Sequence, residues 1–167
     1  QGQEQTIVIG KREGQYKNMP VSRSFKVKVL SSLVPQSVTV NGQPAKYEYL
    51  GEEFALFVDL PVLSCEQEKV IKIVYPVETA DMNGLLGASR RVAKSMEQLK
   101  YRDSYICFKE EFGKMGSLRE AVTYAPEKIS SLVSDFWKSY NDFPEVLKHQ
   151  GLNDDNKAWF LQSICWK

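Results

Sequence analysis

The sequence predicts an α+β chain, an antiparallel β-sandwich of about six strands over residues 1–78 followed by a helical extension over 79–167. Three observations lead there. Through Pro76 the apolar residues recur with period two between turn signals, the pattern of half-buried strands. After Asp81 they recur at three and four residues, the pattern of amphipathic helices. The join from Pro76 to Asp81 is too short for a free linker, so the helices are expected to pack on the sandwich or on one another. With 167 residues, 43% of them hydrophobic, the chain has enough apolar surface for a real core.

The first strand is the β-branched run from Thr6, ended by Gly10. The second, from Ser22 to Leu30, alternates Phe25, Val27 and Val29 with Ser24, Lys26 and Lys28, and the two are expected to pair as antiparallel neighbours. Their connection carries Gly14, Asn18 and Pro20, which tolerate positive φ or fix φ. It also places Tyr16 and Met19 where they fold back over an open sheet edge and protect it. Asn41-Gly42 predicts a tight hairpin between Ser37 to Val40 and Ala45 to Tyr49. Gly51 precedes a strand from Phe54 to Leu60, which Pro61 and a polar loop end, and Val70 to Tyr75 is the last strand.

The residues Ile9, Gly10, Arg12, Gly14, Tyr16, Met19, Arg23 and Phe25 resemble the C-terminal β-sandwich of glycoside hydrolase family 31, the α-glucosidase and α-xylosidase family. That family often reads Ile-Gly-(Glu/Ala)-Arg-x-Gly-Ser-(Phe/Tyr)-x-Gly-Met, then Arg-x-(Phe/Tyr). The chain departs at Gln15, where serine is usual, and at Asn18, where glycine is usual, and it carries Lys11 where the pattern has glutamate or alanine. The second departure is mild, because asparagine is at ease in the left-handed region. Val38-Thr39-Val40-Asn41-Gly42 and the strand from Glu68 to Tyr75 are similar to the same family's hairpin and final strand, so the resemblance spans residues 5–76. It implies an accessory domain of a larger enzyme whose two catalytic aspartates lie in a barrel. No part of this chain matches the barrel motifs, so no catalytic residue is carried over. Family habit further implies a parent that acts in the periplasm or outside the cell.

In the second half, Leu85, Ala88, Val92, Met96 and Leu99 form one stripe of a helix starting near Asn83, with Gly84-Leu-Leu-Gly87 as its opening turn. Tyr101, Tyr105, Phe108 and Phe112 follow at spacings of four, three and four, an aromatic stripe if the helix continues. Ser117-Leu-Arg-Glu120 reads as a capping box, and Pro126 interrupts or restarts the helix behind it. Ile129, Leu132, Val133, Phe136 and Tyr140 give the next face. A short helix from Asp142 to Gln150 ends at Gly151, and Asn153 caps a last segment bearing Ala158, Trp159, Leu161, Ile164 and Cys165.

Composition narrows the function classes. Basic and acidic residues number 9 and 8 through Pro76 and 13 and 13 beyond, which lacks the clustered basic excess of a nucleic-acid surface. No apolar run reaches the length of a membrane span, and the start has neither part of a signal peptide. Cys65, Cys107 and Cys165 have no zinc-type spacing and read as partly buried free thiols; no metal or cofactor is expected. His149 is the only possible base for a nucleophilic pair and reads as a surface residue near a helix end. The 21 carboxylates cluster at Glu52-Glu53, Glu66 with Glu68, Glu110-Glu111 and Asp154-Asp155, in turns or on exposed faces. Nothing there separates one pKa from another, as an acid/base division of labour requires.

Three roles follow. The first is a non-catalytic accessory domain that braces the catalytic barrel of a family 31 parent, with Tyr16, Met19, Tyr101, Tyr105, Phe108 and Phe112 as interdomain contacts. The second is a carbohydrate-binding module. Tyr47 and Tyr49 share a strand face, and on the outer face they would form a platform for an oligosaccharide; on the inner face they are core. The third is a protein-interaction domain acting through the helical tail.

Overall fold

The computed structural model describes residues 3–76 and 80–166, and the expected boundary at 78 and 79 lies outside them. The chain divides into two compact units. One is the β unit, up to Leu50 and from Phe54 to the join; the other is helical and takes in Gly51–Glu53 and everything from Ala80 onward.

Among the described residues the β unit holds seven antiparallel strands in two sheets: β1 (Glu4–Ile9), β2 (Ser22–Val29), β3 (Ser37–Val40), β4 (Gln43–Pro44), β5 (Lys46–Leu50), β6 (Ala55–Ser64) and β7 (Lys69–Val74). The sheet orders are β1-β7-β3-β4 and β2-β6-β5. Period-two patterning sets the register. Ile7 faces Ile71, and Val40 faces Ile71 from the other side, while Val27 faces Val58 and Val29 faces Leu56. Val38, Val40, Leu56, Val58, Leu60, Ile71 and Ile73 form the buried core.

Three expectations about the strands are corrected. β1 and β2 do not pair; β1 lies on β7 and β2 on β6, in different sheets. Their connection is far longer than a hairpin turn and carries the chain from one sheet to the other. Asn41 and Gly42 do make a two-residue turn, with φ of 49° and 79°, but it joins β3 to the two residues of β4 rather than to the strand from Ala45 to Tyr49. That later strand, β5, pairs with β6. Pro61 does not end β6. Three steps from Leu60 to Leu63 oppose two from Phe25 to Arg23, so the extra residue is a bulge on β6 where the missing N–H is no loss.

One end of the sandwich is tied by a polar network. The Tyr49 hydroxyl donates to the Ser32 carbonyl at 3.0 Å, Ser32 Oγ and Tyr75 OH lie 3.0 Å apart, and Tyr75 OH donates to Gln5 Oε1 at 3.0 Å. Burial raises the Tyr49 pKa well above the ordinary tyrosine value, with the neighbouring Tyr75 adding to it. Burial also raises that of Tyr75, partly opposed by the Ser32 hydrogen bond. An acid whose folded pKa is raised contributes stability below its unfolded pKa and loses it as pH climbs toward the folded value. The β unit is therefore expected to keep its stability up to about pH 10 and lose it above, where unfolded tyrosine ionises. Tyr49→Phe is expected to cost about 1 kcal/mol at neutral pH and to flatten the alkaline fall, measured by far-UV circular dichroism melts from pH 7 to 11.5.

The helical unit holds α1 (Leu85–Arg102), α2 (Glu110–Gly116), α3 (Leu118–Tyr124), α4 (Ile129–Asn141), α5 (Phe143–Gln150) and α6 (Asp154–Ser163), with 3-10 turns at Gly51–Glu53 and Pro126–Lys128. The predicted α1 stripe of Leu85, Ala88, Val92, Met96 and Leu99 is buried throughout. Gly84, at φ 69°, opens that helix, Gly151, at φ 81°, closes α5, and the Asn153 side chain accepts from Asn156 N–H at 2.8 Å.

Two helical expectations are corrected. Ser117 makes no capping bond to α3; its hydroxyl donates back to the Gly113 carbonyl at 3.1 Å and closes α2 instead. In the last segment Asn156, Phe160 and Ile164 are buried, while Ala158 and Cys165 are exposed.

Candidate functional site

The residues that carry the family resemblance build a small cavity in the β unit. The chain leaves β1 at Gly10 and returns at β2 through two left-handed residues, Gly14 at φ 75° and Asn18 at φ 63°. Arg12 holds this connection down. Its guanidinium donates to the Pro20 carbonyl at 2.9 Å and to Glu66 Oε1 at 3.0 Å, and its backbone N–H donates to the Cys65 carbonyl at 2.8 Å. The Cys65 N–H in turn donates to the Val21 carbonyl, so both ends of the connection are pinned to the turn after β6. The cavity beneath has a volume of about 250 Å³; Arg12, Glu13, Arg23 and Lys69 line it beside Tyr16, Met19 and Phe25. Met19 is half-buried against it, and Tyr16 is largely exposed.

Lys69 is the resident that the strand-by-strand reading passed over. It is 2% exposed, pairs with Ile9, and donates to the Gln67 carbonyl at 2.6 Å, with its ammonium 5.8 Å from the centre of the Phe25 ring. Its signal was present, because Lys69 alternates in phase with Ile71 and Ile73 and so belongs to the inner face.

The two tyrosines of β5 also face inward. Tyr47 pairs with Val58 and Tyr49 with Leu56, both fully buried, and residues opposite one another share a face. Tyr47 remains 41% exposed because β5 is an edge strand, and its hydroxyl reaches toward the Pro35 carbonyl at 3.5 Å. The outer face at this edge presents Lys26, Glu48 and Asp59, with the Lys26 ammonium 3.7 Å from Asp59 and 4.0 Å from Glu48. An outward platform of Tyr47 and Tyr49 is not what forms.

The aromatic stripe of the helical unit is broken. α1 ends at Arg102, where Asp103 caps it and its carboxylate accepts from Tyr105 N–H at 3.2 Å. Tyr101 and Tyr105 are 84% and 94% exposed, whereas Phe112 is 1% exposed and Phe108 packs edge-on against it at 5.2 Å. The loop between is fastened by buried Gln150, which accepts from Lys109 N–H at 2.8 Å and donates to the Cys107 carbonyl at 2.7 Å. A larger cleft of about 580 Å³ lies among α2, α3 and α4, with a floor of Met115, Leu118 and Phe136 and a rim of both charge signs. On that rim Lys114 bonds Glu110 and lowers its pKa.

The remaining sequence candidates fall on the surface. His149 is exposed near the end of α5, with Nε2 3.3 Å from Glu145. Cys65 is buried, Cys107 and Cys165 are exposed, and all three are free. Among the described residues no helix is long and apolar enough to cross a membrane, and no group of metal-type side chains converges. Comparison with protein-family models, curated proteins and solved structures finds no match for the chain.

Proposed function

We propose that this chain is the C-terminal accessory β-sandwich of a family 31 glycoside hydrolase, with a helical extension, and that it braces a parent barrel which hydrolyses α-glycosidic bonds. The observation that supports this most is Asn18. It adopts φ 63° at the one place in the resembling stretch where the family pattern has glycine and this chain does not. Gly14, at φ 75°, and the Arg12 clamp on Pro20 give the neighbouring motif residues the same kind of structural purpose. Such a domain contributes by holding barrel loops in place, since catalytic geometry depends on what supports it.

A second reading, docking of a protein partner through the helical tail, is favoured by the exposure of Tyr101, Tyr105 and Tyr124, the last at 82%. The inward placement of Tyr47 and Tyr49 weighs against the sugar-binding module.

An antibody raised against the purified chain tests the proposal in extracts of the source cells. It is expected to detect a polypeptide well above 19.1 kDa and to precipitate α-glucosidase or α-xylosidase activity; a 19.1 kDa species without such activity overturns the reading. Calorimetric titration with malto- and xylogluco-oligosaccharides is expected to give no saturable heat. A dissociation constant below about 1 mM would transfer the assignment to the binding module.

A further inference from the structure

We propose that the cavity beneath the β1–β2 connection is a binding site for a compact oxyanion, a carboxylate or phosphate carried by a small molecule. The reason is the state of its cations. Lys69 is buried, and an ammonium has three protons to donate. Among the described residues it has one acceptor, the Gln67 carbonyl, and neither Lys69 nor Arg23 has an ion-pair partner. A buried charge is held at least cost when its donors are matched and an opposite charge lies beside it.

The rest of the lining suits the same guest. Arg12 is already fixed by Pro20 and Glu66, so it forms a rigid cationic wall that binding need not order. Among the described lining residues Glu13 is the one carboxylate beside Arg12, Arg23 and Lys69, and with Arg12 paired to Glu66 the balance still leaves one positive charge to favour an anion. Tyr16, Met19 and Phe25 supply apolar surface for the body that carries the charged group. About 250 Å³ is room for a group the size of a sugar acid or a sugar phosphate. The inference rests on the charge and shape of the cavity and holds whether or not the chain serves a glycosidase.

Calorimetric titration of the whole chain with inorganic phosphate and with glucuronate, in low-salt buffer free of other oxyanions and with glucose as the uncharged control, tests it. Saturable binding of at least one oxyanion and none of glucose is expected. Arg23→Gln, at an exposed position, is expected to weaken that binding about tenfold through loss of a charge-assisted contact. Gly10→Leu is expected to weaken it as well, because Gly10 lines the cavity and a Cβ there meets nothing within 4 Å, so the substitution adds bulk at the lining without a clash with the protein. Both variants are checked for native circular dichroism. No saturable binding of either oxyanion, equal binding of glucose, or binding that folded Arg23→Gln and Gly10→Leu leave unchanged overturns the site.

Discussion

Phe112→Ala is expected to destabilise the helical unit by about 3–5 kcal/mol, the cost of deleting a large buried aromatic and leaving a cavity behind it. Phe112 is where the aromatic side chains of this unit converge. Phe108 meets it edge-on at 5.2 Å, Phe160 at 5.2 Å and Phe143 at 6.2 Å, and it is 1% exposed. These rings come from three helices and one loop, so no single element can close the gap by moving alone. Tyr105→Ala, at another member of the same sequence spacing, is expected to change stability by less than about 0.5 kcal/mol because that side chain is 94% exposed. All three tryptophans lie at or beyond residue 137, so their fluorescence in a urea titration reports the helical unit without interference from the sandwich. Equal effects of the two substitutions would mean that the aromatic residues act as one exposed stripe after all.

The contrast between these two residues shows what periodicity can and cannot carry. Spacing correctly identified the α1 face from Leu85 to Leu99, where every step stays on one helix. The same spacing continued through Phe112 although the helix had stopped. The stop was written locally, in Asp103-Ser104, where a short side chain bonds the backbone two residues on and competes with the helical ladder. Likewise, Pro61 read as a strand end because proline lacks a donor, but at a bulge no donor is called for, and β6 runs on to Ser64. Ser117 had the spacing of a capping box, yet its hydroxyl turns back to the Gly113 carbonyl, which its own N–H also reaches.

Turns were more legible than strand partners. Asn41-Gly42 fixed its own turn, whereas the partners of β1 and β2 depended on a connection whose length alone argued against a hairpin. Of the cavity, Arg12, Tyr16 and Met19 stood out in the sequence as motif residues but not as the lining of a cavity. Lys69 was legible from its phase with Ile71 and Ile73, but a lysine in a strand is ordinarily assigned to the solvent face. Tyr47 and Tyr49 could be given a common face from alternation, and which face it was required the register with Leu56 and Val58.

Gly51→Ala is expected to be the other severe substitution, and Gly116→Ala supplies the comparison. At both positions the nearest atom to an added Cβ would lie only 2.5 Å away, so distance alone does not separate them. At Gly51 the atoms met are the backbone N and Cα of Thr123, at 2.5 and 2.6 Å, inside α3. A helix backbone cannot yield by half an ångström or more without breaking its own hydrogen bonds, and the Thr123 hydroxyl is committed to the Arg119 carbonyl at 2.8 Å. At Gly116 the atoms met are Sδ and Cε of Met96, the far end of a flexible side chain that can change rotamer. Replacing a helical glycine by alanine also recovers backbone entropy of about 0.5–1 kcal/mol, which offsets part of that repacking. Gly51→Ala is therefore expected to cost about 3 kcal/mol, at the upper end for overpacking, and Gly116→Ala about 1 kcal/mol or less, read from tryptophan fluorescence in urea. A loss at Gly51 no larger than at Gly116 would show that the 3-10 turn at Gly51–Glu53 is free to lift away from α3.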